Sequence, residues 1–263
     1  MLIAKDIMHD IISLEPNNTL ADARDLMLKY NISRVVITSN GKPVGILTEK
    51  SIGKFLYRDG RALDELRLDQ VMRRDLIMVN GNTSVKECSS LMLKHDISSL
   101  IIKDNERYGI ITKSDLVKVY AEYFKNKSLV KDYMTGNVHT VLATNSLHKV
   151  LSILIKNKIS RVIVVKENKP IGIITFKDLL PTSMLIEKEE YELTHGNINA
   201  LIGVLLAKDI MHKPITVMIN DDLAKAALIM IEKRISGLPV VNADNDLRGV
   251  ITKTDIIRAL SSN

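Results

Sequence analysis

Tryptophan is absent from these 263 residues, aromatic residues together make up 4%, and cysteine occurs once, as Cys88. A lone cysteine excludes an internal disulfide and fits a reducing compartment, so a cytoplasmic location is the expectation. No run of about 18 apolar residues occurs, so no membrane-spanning helix and no membrane partner are expected. Met1 passes through Leu2, Ile3 and Ala4 straight into charge at Lys5 and Asp6, which does not read as a secretion signal. The six histidines (His9, His95, His139, His148, His195 and His212) show no metal-ligand spacing. There is no nucleophile elbow, no glycine-rich phosphate loop and no cysteine pair. The expectation is therefore a chain that is not an enzyme, with no metal and no required cofactor. Charge is two-signed, 37 basic against 31 acidic residues, for a net +6. The lysines are scattered rather than blocked, which reads as a solvated surface; nucleic acid is permitted as a partner but not favoured.

What the chain does have is a phrase written four times. Leu247-Arg248-Gly249-Val250-Ile251-Thr252-Lys253-Thr254-Asp255 reads as a buried strand running straight into a helix, with Thr252 at the N-cap and Asp255 at N3. The phrase recurs as Gly109-Ile110-Ile111-Thr112-Lys113-Ser114-Asp115 and as Gly172-Ile173-Ile174-Thr175-Phe176-Lys177-Asp178. A weakened copy is Gly45-Ile46-Leu47-Thr48-Glu49-Lys50-Ser51. Such a junction offers free backbone N–H groups and a positive dipole end to an anion. Its carboxylate, one turn in, can accept hydrogen bonds from vicinal hydroxyls. A sugar phosphate carries both features.

Aligning the four phrases puts the whole chain in register. Each copy opens with Asp6-Ile7-Met8, Gln70-Val71-Met72, Asp132-Tyr133-Met134 or Asp209-Ile210-Met211. A short strand and an amphipathic helix follow, then Ile32-Ser33, Ile97-Ser98, Ile159-Ser160 or Ile235-Ser236 ahead of a β-branched strand. On the helices, Leu20, Ala23, Met27 and Tyr30 share a face, matched by Val85, Cys88, Met92 and His95, by Leu147, Val150, Leu154 and Asn157, and by Leu223, Ala226, Met230 and Lys233. Cys88 thus reads as a small core residue, and the methionines as core filler. Thr19, Asn18 or Ser84 would cap the first two helices, and Asp221 or Asp222 the last. Each unit is strand, helix, strand, strand, helix, and one such unit of about 55–60 residues cannot bury its sheet face alone. The boundaries are repeat 1 at 1–60, repeat 2 at 61–125, repeat 3 at 126–183, an inserted linker at 184–206 and repeat 4 at 207–263. The insertion reads as a helical excursion that leaves the core and returns.

The opening Asp-Ile-Met, the Ile-Ser-(Arg/Gly) ahead of a β-strand and the closing Gly-Ile-Ile-Thr-x-x-Asp resemble the CBS domain. The match covers all of the chain except the insertion. The resemblance implies an α+β fold of four tandem βαββα repeats pairing into two Bateman modules, 1–125 and 126–263, in a pseudo-symmetric disc-like arrangement. That architecture is similar to the regulatory gamma subunit of AMP-activated protein kinase. It implies a non-catalytic sensor that binds an adenosine-containing ligand (AMP, ADP, ATP or S-adenosylmethionine) between paired repeats and signals to an effector protein. The modules would close within one chain or across a homodimer. Carried over by position, the ribose carboxylates are Asp115, Asp178 and Asp255, with Ser51 departing in repeat 1. The phosphate side maps to Thr112, Ser114, Thr175, Thr252, Thr254, Arg34 and Arg161, with Ser99 and Gly237 departing. The adenine side maps to Ser13, Thr140 and Thr216, with Met78 departing.

A plainer account of Thr-x-x-Asp stands beside this one. A threonine cap with an acid at N3 is a capping box and stabilises a helix start by about 0.5–2 kcal/mol with no ligand at all. The guanidinium of Arg161 and that of Arg34, planar forks suited to phosphate oxygens, favour the ligand account. The rival class is a protein- or nucleic-acid-interaction scaffold with vestigial clefts.

Overall fold

A computed structural model describes residues 2–58, 61–181 and 205–262. Repeat 1 runs α1 (Ala4–Ile7), β1 (His9–Asp10), β2 (Ser13–Leu14), α2 (Leu20–Tyr30), β3 (Arg34–Ser39), β4 (Lys42–Thr48) and α3 (Glu49–Arg58). Repeat 2 has α4 (Leu68–Val71), β5 (Met78–Asn80), α5 (Val85–Lys94), β6 (Ser99–Asp104), β7 (Arg107–Thr112) and α6 (Lys113–Tyr123). Repeat 3 has α7 (Val130–Tyr133), β8 (Thr140–Val141), α8 (Leu147–Lys156), β9 (Arg161–Lys166), β10 (Lys169–Thr175) and a 3-10 turn, Phe176–Asp178. Repeat 4 has α9 (Ala207–Ile210), β11 (Val217–Met218), α10 (Leu223–Glu232), β12 (Gly237–Val241), β13 (Leu247–Thr252) and α11 (Lys253–Ser262). The fold is the α+β arrangement of four βαββα repeats read from the sequence. Nearly all of the 184–206 insertion lies outside the described residues.

Local chemistry accounts for the elements. Thr19 Oγ1 accepts from Asp22 N–H while Asp22 Oδ2 accepts from Thr19 N–H at 2.8 Å, closing a capping box on α2. Those hydrogen bonds, the Thr19 amide first, hold the Asp22 carboxyl below its usual range. Ser84 and Asp222 cap α5 and α10, and Ser146 caps α8. In each repeat the helix returns the chain so that the first strand lies parallel to the second, and a tight turn folds the third strand back antiparallel. Asn40 and Gly41, with φ of 50° and 73°, supply the paired positive φ that such a two-residue turn requires. Leu20, Ala23, Met27, Cys88 and Met230 are buried as the helical spacing requires. The last member of each predicted face is a correction. Tyr30 is 49% exposed, and His95, Asn157 and Lys233 are exposed as well. Each stands at the last turn or C-cap of its helix, where the axis has already run past the sheet.

The opening segments do not stay at home. Met8 of repeat 1 packs on Gly109 of repeat 2, and Met72 of repeat 2 packs on Gly45 of repeat 1. Likewise Met134 of repeat 3 packs on Gly249 of repeat 4, and Met211 of repeat 4 on Gly172 of repeat 3. A β-carbon on Gly109, Gly172 or Gly249 would lie 2.8, 2.5 or 2.9 Å from the methionine sulfur, so glycine is the residue that leaves the thioether a notch. Beyond the methionine the backbone pairs with the receiving strand. In repeat 2 this makes β1 a fourth strand on β7, and elsewhere single bridges join Arg73 to Ile46, Thr135 to Val250 and His212 to Ile173.

The chain divides into two compact units. One comprises residues 1–11, 77–138 and 214–263, the other 12–76 and 139–213. In the first, α10 packs on α6, and α11 on α5 and α6. Its core includes Met92, Leu116, Tyr120, Met230 and Ile256. In the second, α3 packs on α8 and on the Phe176–Asp178 turn, over a core that includes Leu20, Ile52, Leu154 and Phe176. Among the described residues no helix is long and apolar enough to cross a membrane.

Candidate ligand site at the strand-to-helix junctions

The sheet register builds the same corner in every repeat. The residue after Ile-Ser lies directly across from the junction threonine: Arg34 from Thr48, Ser99 from Thr112, Arg161 from Thr175 and Gly237 from Thr252. The first-strand hydroxyls stand on the neighbouring strand, with Ser13 opposite Val36 and Thr140 opposite Ile163, each two residues along from the arginine. Met78 takes that place in repeat 2, and Thr216 sits one residue before β11. One sheet end therefore gathers the predicted adenine-side, phosphate-side and ribose-side positions of each repeat.

The three aspartates share one geometry. Asp115 Oδ2 accepts from Thr112 N–H at 2.7 Å and from its hydroxyl at 2.8 Å. Asp178 Oδ2 accepts from the Thr175 amide at 2.6 Å and the hydroxyl at 2.8 Å, and Asp255 Oδ2 from the Thr252 pair at 2.8 and 2.7 Å. The capping box is thus real, and it uses one carboxylate oxygen of the two. The cap and the neighbouring strand also consume amides that the sequence left for an anion. Lys113 N–H donates to the Ser98 carbonyl, Lys253 N–H to that of Ser236, and Ser114 N–H to Thr112 Oγ1. A phosphate at this corner would therefore lean on hydroxyls and cations more than on bare helix amides. Repeat 1 closes in neutral form, with Thr48 Oγ1 and Ser51 Oγ 3.1 Å apart.

The second oxygen of each acid faces a cation or an imidazole. Asp115 Oδ1 lies 2.6 Å from His9 Nε2, Asp178 Oδ1 lies 3.1 Å from His212 Nε2, and Asp255 Oδ1 accepts from Arg258 Nη1 at 3.1 Å. The first two acids are 13% exposed, while Asp255 is 4% exposed. His9 and His212 stand in the sequence only among six histidines without metal-ligand spacing. No spacing rule finds them, because their aspartate belongs to a different repeat.

The lysines beside the junction were missed for the same reason. In the first unit Lys113 Nζ donates to Thr254 Oγ1 at 2.8 Å and Lys253 Nζ to Ser114 Oγ at 2.7 Å, a reciprocal pair across repeats 2 and 4. Repeats 2 and 4 are the ones that lack the arginine after Ile-Ser, so these lysines bring positive charge back to the corner. In the second unit Lys50 Nζ donates to the Lys158 carbonyl at 3.3 Å, and Lys177 Nζ to Asn31 Oδ1. Glu49 lies among Arg34, Lys177, Asp178 and Arg161. Desolvation pushes its carboxyl above the usual range, outweighing the pull of the cations. Among the described residues no cluster of histidine, cysteine or acids could hold a metal ion.

The protein MJ1225 of Methanocaldococcus jannaschii is 24% identical over 268 residues, covering 94% of this chain and 94% of its own length. Its crystal structure, described as that of a candidate archaeal homolog of g-AMPK, matches with a TM-score of 0.86 at 23% identity, covering 98% of this chain and 100% of that one. An uncharacterized conserved protein from Pyrococcus horikoshii matches with a TM-score of 0.67 at 22% identity, over 98% and 100% of the two chains. At such identities the likeness speaks to fold. The inosine-5'-monophosphate dehydrogenase of M. jannaschii is 36% identical over 181 residues, 64% of this chain and 36% of the enzyme. The model of the CBS domain matches residues 4–58, 68–122, 130–183 and 207–262, nearly the whole of the chain outside the linkers, and the chain belongs to the CBS domain family.

Proposed function

We propose that this chain is a regulatory ligand sensor whose strand-to-helix junctions take an adenosine-containing ligand, AMP, ADP, ATP or S-adenosylmethionine, and report occupancy to an effector protein. One observation carries the reading. At Asp115, Asp178 and Asp255 the cap uses only Oδ2 and leaves Oδ1 to other partners, at the sheet end where hydroxyls and cations also gather. A helix cap needs one oxygen. A vicinal diol needs the other. The ribose would rest on Asp115 or Asp178, with Asp255 more enclosed beneath Arg258. Phosphate would meet Thr175, Arg161 and Arg34 in one unit, and Thr112, Ser114, Thr252, Thr254, Lys113 and Lys253 in the other. Ser13, Thr140 and Thr216 would border the base. Exchange of the opening segments supports repeat 1 acting with repeat 2 and repeat 3 with repeat 4, as modules 1–125 and 126–263. A ligand shifts the arrangement of repeats only to the extent that it binds one arrangement better. No catalytic step is assigned to these residues.

Thermal shift against an adenosine-compound panel tests the reading. A ligand at 100 times its Kd stabilises the folded chain by about 2.7 kcal/mol. That gain should fall on Asp115→Ala and Asp178→Ala and survive Ser51→Ala. A flat response to every compound would put the interaction scaffold first. Affinity for nucleic acid measured against salt then separates the scaffold's two forms, since a log–log slope near zero removes phosphate-backbone binding.

A further inference from the structure

The residue after the opening methionine varies with the acid it meets. His9 reaches Asp115 and His212 reaches Asp178, while Thr135 is delivered to repeat 4, where Arg258 already holds Asp255. Arg73 is delivered to repeat 1, where Ser51 replaces the acid, and it pairs instead with Asp75 at 2.6 Å. Three positions along from the acid, where repeat 4 has Arg258, repeats 2 and 3 carry Lys118 and Pro181. Histidine thus appears only at the two junctions that have an aspartate and no arginine at that place.

The backbone of each histidine is fixed. His9 pairs with Ile110 in β1–β7, and His212 exchanges N–H···O bonds of 3.0 and 3.1 Å with Ile173. The rings are not so held, being 63% and 70% exposed. An imidazole can therefore leave the carboxylate by rotating its side chain, without undocking the segment that carries it.

We propose that His9 and His212 are ligand-exchanged residues of the repeat 2 and repeat 3 sites, each occupying the outward oxygen of the ribose carboxylate until a nucleoside diol displaces it. This rests on the adenosine reading above. The oxygen the imidazole holds is the one the cap leaves, so diol and imidazole compete for the same acceptor. Binding at these sites replaces one hydrogen bond with another, whereas repeat 4 is closed by an arginine of its own helix. The exchange also makes occupancy of repeat 2 legible to the opening segment of repeat 1, and occupancy of repeat 3 legible to that of repeat 4.

The test is calorimetric titration of the full chain with adenosine, the nucleoside without phosphate. Four proteins are compared: the unaltered chain, His9→Ala/His212→Ala, His9→Gln/His212→Gln and Asp115→Ala/Asp178→Ala. Freeing the acceptor from a competing bond should tighten adenosine binding about three- to tenfold in the alanine variant. The glutamine variant, which can still donate to the oxygen, should return most of the way to the unaltered affinity. The aspartate variant should lose these sites. A merely structural histidine predicts the opposite sign, because removing it would loosen the site. Unchanged or weaker binding in the alanine variant, with the unaltered chain binding and the aspartate variant not, overturns the exchange and leaves the adenosine reading standing. No adenosine binding by any of the four overturns both.

Discussion

Replacing Gly172 with alanine tests the interlocked opening segments. The new methyl carbon would lie 2.5 Å from Met211 Sδ and 3.0 Å from its Cβ and Cγ. The sulfur can swing away. The β-carbon cannot, because the next residue, His212, is hydrogen-bonded through both its amide and its carbonyl to Ile173. The segment must shift by a few tenths of an ångström or let go, and overpacking of this kind costs about 1–3 kcal/mol. Alanine in an open strand would otherwise gain about 0.5–1 kcal/mol over glycine, so any loss marks the collision. At a urea m value of about 3 kcal/mol/M, a loss of about 2 kcal/mol lowers the midpoint by roughly 0.7 M. Met211→Ala removes Sδ and Cγ, so the double variant should be less destabilised than the two single losses combined, by about 1 kcal/mol. Gly136→Ala is the control: its nearest neighbour would be the Arg248 carbonyl at 3.9 Å, and its effect should stay within about 0.5 kcal/mol. Urea curves followed by far-UV circular dichroism provide the measurement. Strict additivity of Gly172→Ala and Met211→Ala, or an equal loss from Gly136→Ala, would refute the notch.

Three further outcomes follow from the same geometry. Thr252→Ala deletes the hydroxyl that donates to Asp255 at 2.7 Å and should cost about 1–2 kcal/mol in thermal unfolding, whereas Thr48→Ala, facing neutral Ser51, should cost less. Glu49 binds its proton more tightly in the native chain than in the unfolded one. Its contribution is therefore fully present below the ordinary carboxyl value of 4.5 and lost as pH rises through the native value. Glu49→Gln should accordingly raise Tm at pH 7, with the gain shrinking toward pH 4.5; a gain that grew on acidification would reverse the assignment. Burial pushes the Cys88 thiol up to about 11, so a thiol reagent at pH 8 should react only as the chain unfolds, and rapid stoichiometric labelling of the native protein would contradict its place in the core.

Much of this molecule was legible because local rules write it. Thr19, Ser84 and Asp222 announced their caps, and Cys88 its place beside Ala23 and Ala226 in the helix face. The helix ends were misread, since Tyr30 continues the three-and-four pattern for one step after the packing has stopped. The aspartate corner was readable as a motif, and the structure bears out its role as a helix cap. Its finer chemistry was not. Which oxygen the cap takes is a side-chain rotamer that no residue pattern records, and the crossing of Lys113 and Lys253 and the arrival of His9 at Asp115 depend on contacts between residues more than a hundred positions apart. No period in the sequence encodes them, except that the opening Met and the Gly of the closing phrase each recur once per repeat, one thioether for each missing side chain.

That equality bears on how such a chain can be cut or copied. A solitary repeat would keep a vacant slot and a dangling tail, and so would tend to trade tails with any identical neighbour. Severing the chain between 125 and 126 leaves two fragments that each retain both plugs and both sockets, whereas a break between repeats 1 and 2, or between repeats 3 and 4, orphans one of each. Growth of this architecture by duplication is therefore simplest two repeats at a time.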